Sequence, residues 1–202
     1  MTQIAPFRTD PRPLFARAAA TALACVSGVR SHQLDDPTPC QEFDVRQLLG
    51  HLVAVLDRVA AVGRGADPLA LPHVVEDVPD DGWPDAAAAA LQAAAEVWAD
   101  DAVLVRLLRL PFGTLPGAAA LASYAGEVTT HAWDLAVATG QSPEWDPDVL
   151  TVALAAIHAK LPTAERGPQV PFADAVRVAS DAPPIDQLVA WQGRDPGWAA
   201  PA

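Results

Sequence analysis

The chain has 202 residues, with 25 acidic against 13 basic side chains and a formal net charge of -12. That length supports one domain with a real core, or one domain with an appendage, and acidic charge with no basic run removes the electrostatic footprint that phosphate-backbone binding requires. Hydrophobic residues make up 51%, yet about a fifth of the chain is alanine and only 6% is aromatic, so much of the apolar surface is small, helix-favouring and suited to close packing.

In chain order, the first predicted element is a helix from about Pro13 to Arg30, opened by Asp10 and two prolines, with Leu14, Ala18, Leu23 and Val26 at helical spacing. Its stretch from Ala18 to Val29 contains Ala22-Leu23-Ala24-Cys25, which superficially resembles a lipoprotein cleavage box. The stretch is mostly alanine and Arg17 interrupts it, so it reads as helix rather than export signal. The prolines of Asp35-Asp36-Pro37-Thr38-Pro39-Cys40 then exclude regular helix. A second helix begins at Asp44, with Gln47 completing a capping box. Leu48, Leu49, Leu52, Val55, Leu56, Val59 and Val62 give it a broad apolar stripe that ends near Gly63 and Gly65.

Pro84 opens a third predicted helix that continues to about Leu110, where Pro111-Phe112-Gly113 stops it. A fourth spans Pro116 to Thr139 and ends at Gly140, a residue suited to a left-handed cap. A shorter fifth covers Asp148 to Leu161. Beyond it, Val170 to Ser180 alternates weakly, as a short strand or extended strap would, and Pro184 to Gln192 reads as a final turn or two of helix. Four long helices with up-and-down connections predict an all-α four-helix bundle, with the short helix and an irregular tail packed on it. The corresponding division is a bundle of residues 1–165 and a tail of residues 166–202. No window approaches the ~20 strongly apolar residues of a membrane span. Cys25 and Cys40 lack the number and spacing of a disulfide framework or metal knuckle, which makes a reducing cytoplasm the default setting.

Chemistry concentrates in Tyr124-Ala125-Gly126-Glu127-Val128-Thr129-Thr130-His131-Ala132-Trp133-Asp134. At helical periodicity Glu127 and His131 lie roughly 40° apart, with Asp134 about 20° from Glu127 on its other side. Leu121, Tyr124, Val128, Leu135 and Ala138 mark the same side as buried. On the second helix His51 sits at the edge of the apolar stripe, with Arg58 two turns along that edge. An antiparallel bundle could set His51 opposite Glu127 and His131, and two imidazoles with one carboxylate form a three-ligand set typical of zinc sites with one open position. The spacing by itself equally fits a partly exposed Glu–His pair and a boundary histidine. His32, His73 and His158 receive no role. Asp134 reads either as an orienter of His131 or as a surface carboxylate. Arg58 reads as a guide for anionic substrates or a solvated edge residue, and Trp133 as packing on the fifth helix or tail. Cys40, about two turns before His51 and roughly 15 Å away along an extended path, reads as a packed structural cysteine.

These residues resemble the DinB/YfiT-like metal-binding bundles, in particular the branch of the mycothiol-dependent maleylpyruvate isomerase N-terminal domain. The matching stretches are Thr38-Pro39-Cys40-Gln41-Glu42-Phe43-Asp44-Val45 with Leu49-Gly50-His51-Leu52, then Gly126-Glu127 through His131-Ala132-Trp133-Asp134-Leu135-Ala136 to Ala138-Thr139-Gly140. A third is Asp181-Ala182-Pro183-Pro184-Ile185-Asp186, followed by Gly193-Arg194-Asp195-Pro196. The resemblance implies a DinB-like fold that binds a divalent metal, zinc or nickel, through His51, Glu127 and His131. It further implies a low-molecular-weight thiol cofactor such as mycothiol or bacillithiol, in transfer to or isomerisation of an electrophilic substrate. The chain leaves no room for the isomerase's separate C-terminal domain, so isomerisation of maleylpyruvate itself is not expected. Two readings stay open: a metal-dependent thiol enzyme, and a non-catalytic metal-binding bundle with a structural or interaction role. Homodimerisation is compatible with such bundles, although no exposed apolar stripe can be assigned to an interface.

Overall fold

The computed structural model describes residues 10–161, 166 and 172–200. Its main helices are α1 (Arg12–Gly28), α2 (Val45–Arg64), α3 (Trp83–Trp98), α4 (Asp101–Val105), α5 (Gly117–Ala138), α6 (Pro147–Lys160) and α7 (Pro184–Trp191), with a hairpin of β1 (Leu107–Leu110) and β2 (Gly113–Pro116) before α5. The architecture is all-α, as the periodicity predicts. Among the described residues, no helix is long and apolar enough to cross a membrane.

Local signals set the helix ends. Asp44 accepts from the Gln47 backbone while the Gln47 side chain accepts from the Asp44 backbone, so the predicted capping box opens α2. Gly65 closes α2 at φ 84°, and Gly140 follows α5 at φ 71°, conformations that glycine adopts without a Cβ penalty.

The bundle is a ring in which α1 packs on α5 and α3, and α2 packs on α3 and α5. Its directions do not simply alternate. The connector between α2 and α3 runs back along α2, where the Val75 N–H donates to the Gly50 carbonyl at 3.1 Å. α3 therefore starts beside the beginning of α2 and runs parallel to it, and Gly63 near the end of α2 meets Val97 and Trp98 at the end of α3. Arg12 at the start of α1 reaches the Trp98 and Ala99 carbonyls, whereas Gln141, just past α5, donates to the Cys25 carbonyl near the end of α1. α1 and α5 thus run one way, α2 and α3 the other, and α2 is antiparallel to α5. Alanine is what lets these helices approach: Ala18, Ala19 and Ala22 of α1, Ala87, Ala90 and Ala94 of α3, and Ala120, Ala125 and Ala132 of α5 are all buried.

The third predicted helix is too long. α3 stops at Trp98, Asp100 caps the short α4 through the Ala102 N–H, and residues 107–110 form a strand with alternating burial. Pro111-Phe112-Gly113, read as a helix stop, leads instead around the hairpin, where Leu110 pairs with Gly113 at φ 145°. In the tail, residues 173–179 form neither strand nor helix, and the Val176 N–H donates to the Ala190 carbonyl. α7 seals a second small core, where Ile185, Leu188 and Val189 meet Leu150 and Ala153 of α6 and Trp133 of α5. Trp133 thus packs where its helical phase places it. The expected boundary at residue 165 lies outside the described residues.

Candidate metal centre

The seventh residue of α2 meets the stretch of α5 from its middle, at Glu127, to His131 one turn further on. The potential ligand atoms of His51, Glu127 and His131 all lie within 4.8 Å of one another. The His51 and His131 rings meet edge to face with centroids 4.7 Å apart. The antiparallel packing of α2 on α5 thus brings together the three side chains that helical phase places on facing sides.

Both imidazoles have their Nδ1 atoms engaged. His51 Nδ1 lies 2.9 Å from the His73 carbonyl oxygen. A carbonyl can only accept, so this nitrogen carries the proton and Nε2 keeps its lone pair. His131 Nδ1 lies 3.1 Å from Asp134 Oδ2, which likewise favours the tautomer with Nε2 free. Asp134 is fully buried and takes a two-pronged contact from Arg194, Nε to Oδ1 at 3.2 Å and Nη2 to Oδ2 at 3.1 Å. Burial opposes its ionisation, but Arg194 and His131 outweigh burial and hold the Asp134 carboxyl below its ordinary value. Of the two sequence readings of Asp134, the surface carboxylate is ruled out.

Glu127 is half-buried and has no hydrogen-bond or ion-pair partner among the described residues. Burial raises its pKa, while the nearby His131, Arg58 and His73 pull the other way. For His51, burial first, then the neighbouring His131, lowers the pKa to about 3, so the ring is neutral near pH 7. Two imidazoles oriented through Nδ1, with Nε2 left free of these contacts, and an unpartnered carboxylate, all converging, fit a divalent cation of borderline softness.

Three sequence readings need correction. Cys40 is not remote: its Sγ lies within 4.8 Å of ligand atoms on His131 and Asp134. The path from Cys40 to α2 is not extended, because Thr38 Oγ1 ties the Cys40 and Phe43 carbonyls together and the Phe43 N–H turns back to the Cys40 carbonyl. Burial pushes the Cys40 thiol up to about 11, so it faces the site as a neutral group. Arg58 is not a solvated edge residue but is 7% exposed, donating to the Pro72 carbonyl at 3.3 Å. His73 is not an idle loop residue: its carbonyl orients His51, and its ring packs 4.5 Å from His51 and 5.7 Å from Phe43. Of the remaining histidines, His32 is exposed in a 3-10 turn and His158 packs on Trp191 at 4.0 Å.

Arg194 carried no role in the sequence reading. Its only signal was its place in the Gly193-Arg194-Asp195-Pro196 stretch, since nothing local ties a tail residue to a helix sixty positions earlier. The strap bearing Pro72 and His73 was equally hidden. Gly50 makes that strap possible: a Cβ there would lie 2.2 Å from the Val75 carbonyl oxygen. Gly50→Ala is therefore expected to push the strap off α2, costing about 1–3 kcal/mol and loosening the His73–His51 contact. Urea denaturation read beside metal affinity checks both effects.

An all-α bundle of this architecture, with two histidines and a glutamate converging from facing helices, is a protein of the DinB-like class. The chain belongs to the mycothiol maleylpyruvate isomerase N-terminal domain family, whose model matches residues 15–136. It is also 38% identical over 190 residues to an uncharacterized protein of Mycobacterium tuberculosis H37Rv, covering 92% of this chain and 98% of that protein. The uncharacterized protein of strain CDC 1551 / Oshkosh matches equally, at 38% identity and the same coverage. No solved structure matches the chain significantly.

Proposed function

We propose that the chain holds a divalent metal, zinc in preference to nickel, through His51, Glu127 and His131, and acts in the cytoplasm as a thiol-dependent transferase or isomerase with a mycothiol-type cofactor and an electrophilic substrate. The observation that carries this reading is the convergence of the three ligand atoms within 4.8 Å, with both histidines oriented through Nδ1. Family membership supports the thiol. A bound divalent ion would lower the pKa of a coordinated thiol and stabilise its thiolate. The protein's own part is to present the donors: His73 and Asp134 fix the two rings, and Arg194 holds Asp134 ionised. Residues 166–202 are proposed to be an extension of the bundle, since Arg194 completes this arrangement.

Metal analysis of protein purified without an affinity tag tests the reading. About one divalent ion per chain is expected, and His51→Ala or His131→Ala is expected to weaken binding at least about a hundredfold. A metal-free protein, or unchanged affinity in both variants, would overturn it. Chelation that unfolds the chain, together with no turnover across thiols and electrophiles, would favour the structural role instead.

A further inference from the structure

Two buried polar groups next to this site have no explanation within it. The Tyr124 side chain is 1% exposed, and its hydroxyl has no hydrogen-bond partner. A buried hydroxyl left unpaired costs about 1–3 kcal/mol. Arg58 is 7% exposed and has no ion-pair partner among the described residues. A buried guanidinium with only a carbonyl contact is also unfavourable.

The helix register places the two together. Because α2 and α5 are antiparallel and His51 meets His131, a step of two turns forward along α2 and two turns back along α5 sets Arg58 opposite Tyr124. Glu127 lies between them and His131 on α5. The guanidinium also lies close to the ligand set, because Pro72, whose carbonyl it contacts, precedes His73, whose carbonyl holds His51. The charge of Arg58 is felt by His51, Tyr124 and Glu127 alike. A divalent ion neutralised only by the Glu127 carboxylate leaves net positive charge, and Arg58 adds to it.

We propose that Arg58 and Tyr124 form an anion subsite beside the metal position, which takes a carboxylate of the small molecule bound at the open coordination site. Guanidinium nitrogens and a phenol hydroxyl, all donors, match the two oxygens of a carboxylate. The ligand class is thus a small molecule with a thiolate or similar donor for the metal and a carboxylate a few bonds away. This rests on the metal reading above and adds the chemistry of what the metal holds.

The test uses the full chain loaded with Co2+, whose thiolate charge-transfer absorption reports binding of a thiol, titrated with 3-mercaptopropionate and with 2-mercaptoethanol. The carboxylate-bearing thiol is expected to bind about tenfold or more tightly in the wild type, the worth of one charge-assisted hydrogen bond. Arg58→Met is expected to bring the ratio to within about twofold, and Tyr124→Phe to reduce it several-fold. Cobalt uptake and 2-mercaptoethanol affinity serve as the internal reference for each variant. Equal affinities in the wild type, or a ratio unchanged in the variants, would overturn the subsite while leaving the metal reading standing. Failure to take up cobalt would overturn the metal reading and the subsite with it. If Arg58→Met does not fold, Tyr124→Phe decides alone, because removing an unpaired hydroxyl is expected to leave apo stability equal or higher while the thiol ratio falls.

Discussion

Replacing Asp134 with alanine is expected to lower the unfolding free energy by about 3–5 kcal/mol, the largest single-residue effect outside the apolar core. Asp134 is completely buried and is the partner of both Arg194 and His131. Without it, the Arg194 guanidinium, only 11% exposed, keeps a single hydrogen bond to the Gln192 carbonyl. The cost comes mostly from that stranded charge, not from the lost contact. The tail should loosen as well, since Arg194 follows directly on α7. Urea denaturation followed by circular dichroism measures the loss. The double variant Asp134→Leu with Arg194→Met should recover most of the stability, because no charge is left unpaired. Metal affinity should nevertheless stay about 10–100-fold down, because His131 has lost the carboxylate that orients it. Recovery of both properties together would show that Asp134 serves the fold alone.

The second large effect is in acid. In the metal-free protein, burial, His131, His73 and Arg58 together lower the His51 pKa from an ordinary 6.5 to about 3, with the His73 carbonyl contact opposing them. The folded value is depressed, so below 6.5 the unfolded chain takes up a proton that the folded chain refuses. The stabilisation is complete above 6.5 and is lost as the pH falls toward about 3, at up to about 1.4 kcal/mol per pH unit. Asp134 extends the loss in the same direction at lower pH, because its carboxyl is also held below its ordinary value. Comparison with His51→Gln isolates the histidine. Urea denaturation at several pH values between about 6 and 4 should show a slope shallower in the variant by about one proton. Equal slopes would mean that His51 titrates as freely in the folded chain as in the unfolded one.

Both predictions draw on contacts whose legibility in the sequence differs. The α2 start was legible because a capping box is a local device: Asp44 and Gln47 need only each other and the intervening backbone. The sharing of a side by Glu127 and His131 was legible for the same reason, since helical phase is set within two turns. The hairpin was misread because Leu107-Leu108-Arg109-Leu110 also suits a helix. Its strand identity depends on pairing with Gly113–Pro116 and on burial of Leu108 and Leu110 against the bundle. Arg58 shows the same limit: its place at the edge of the α2 stripe was readable, but neither its burial nor its contact with the Pro72 carbonyl was, since nothing on α2 announces that strap.

An acidic, alanine-rich, all-helical chain with His51 on one helix and a Glu127–His131 pair on another was determined by the sequence alone, because periodicity, capping and composition act over a few residues. Only the tertiary structure decided that α2 runs antiparallel to α5, which makes these residues one cluster. It also decided that Cys40, His73 and Arg194 surround that cluster and that Asp134 is buried between His131 and Arg194. Those three come from a turn, a connector and a tail, and the energy that gathers them is burial and charge pairing between distant segments, which no local pattern encodes.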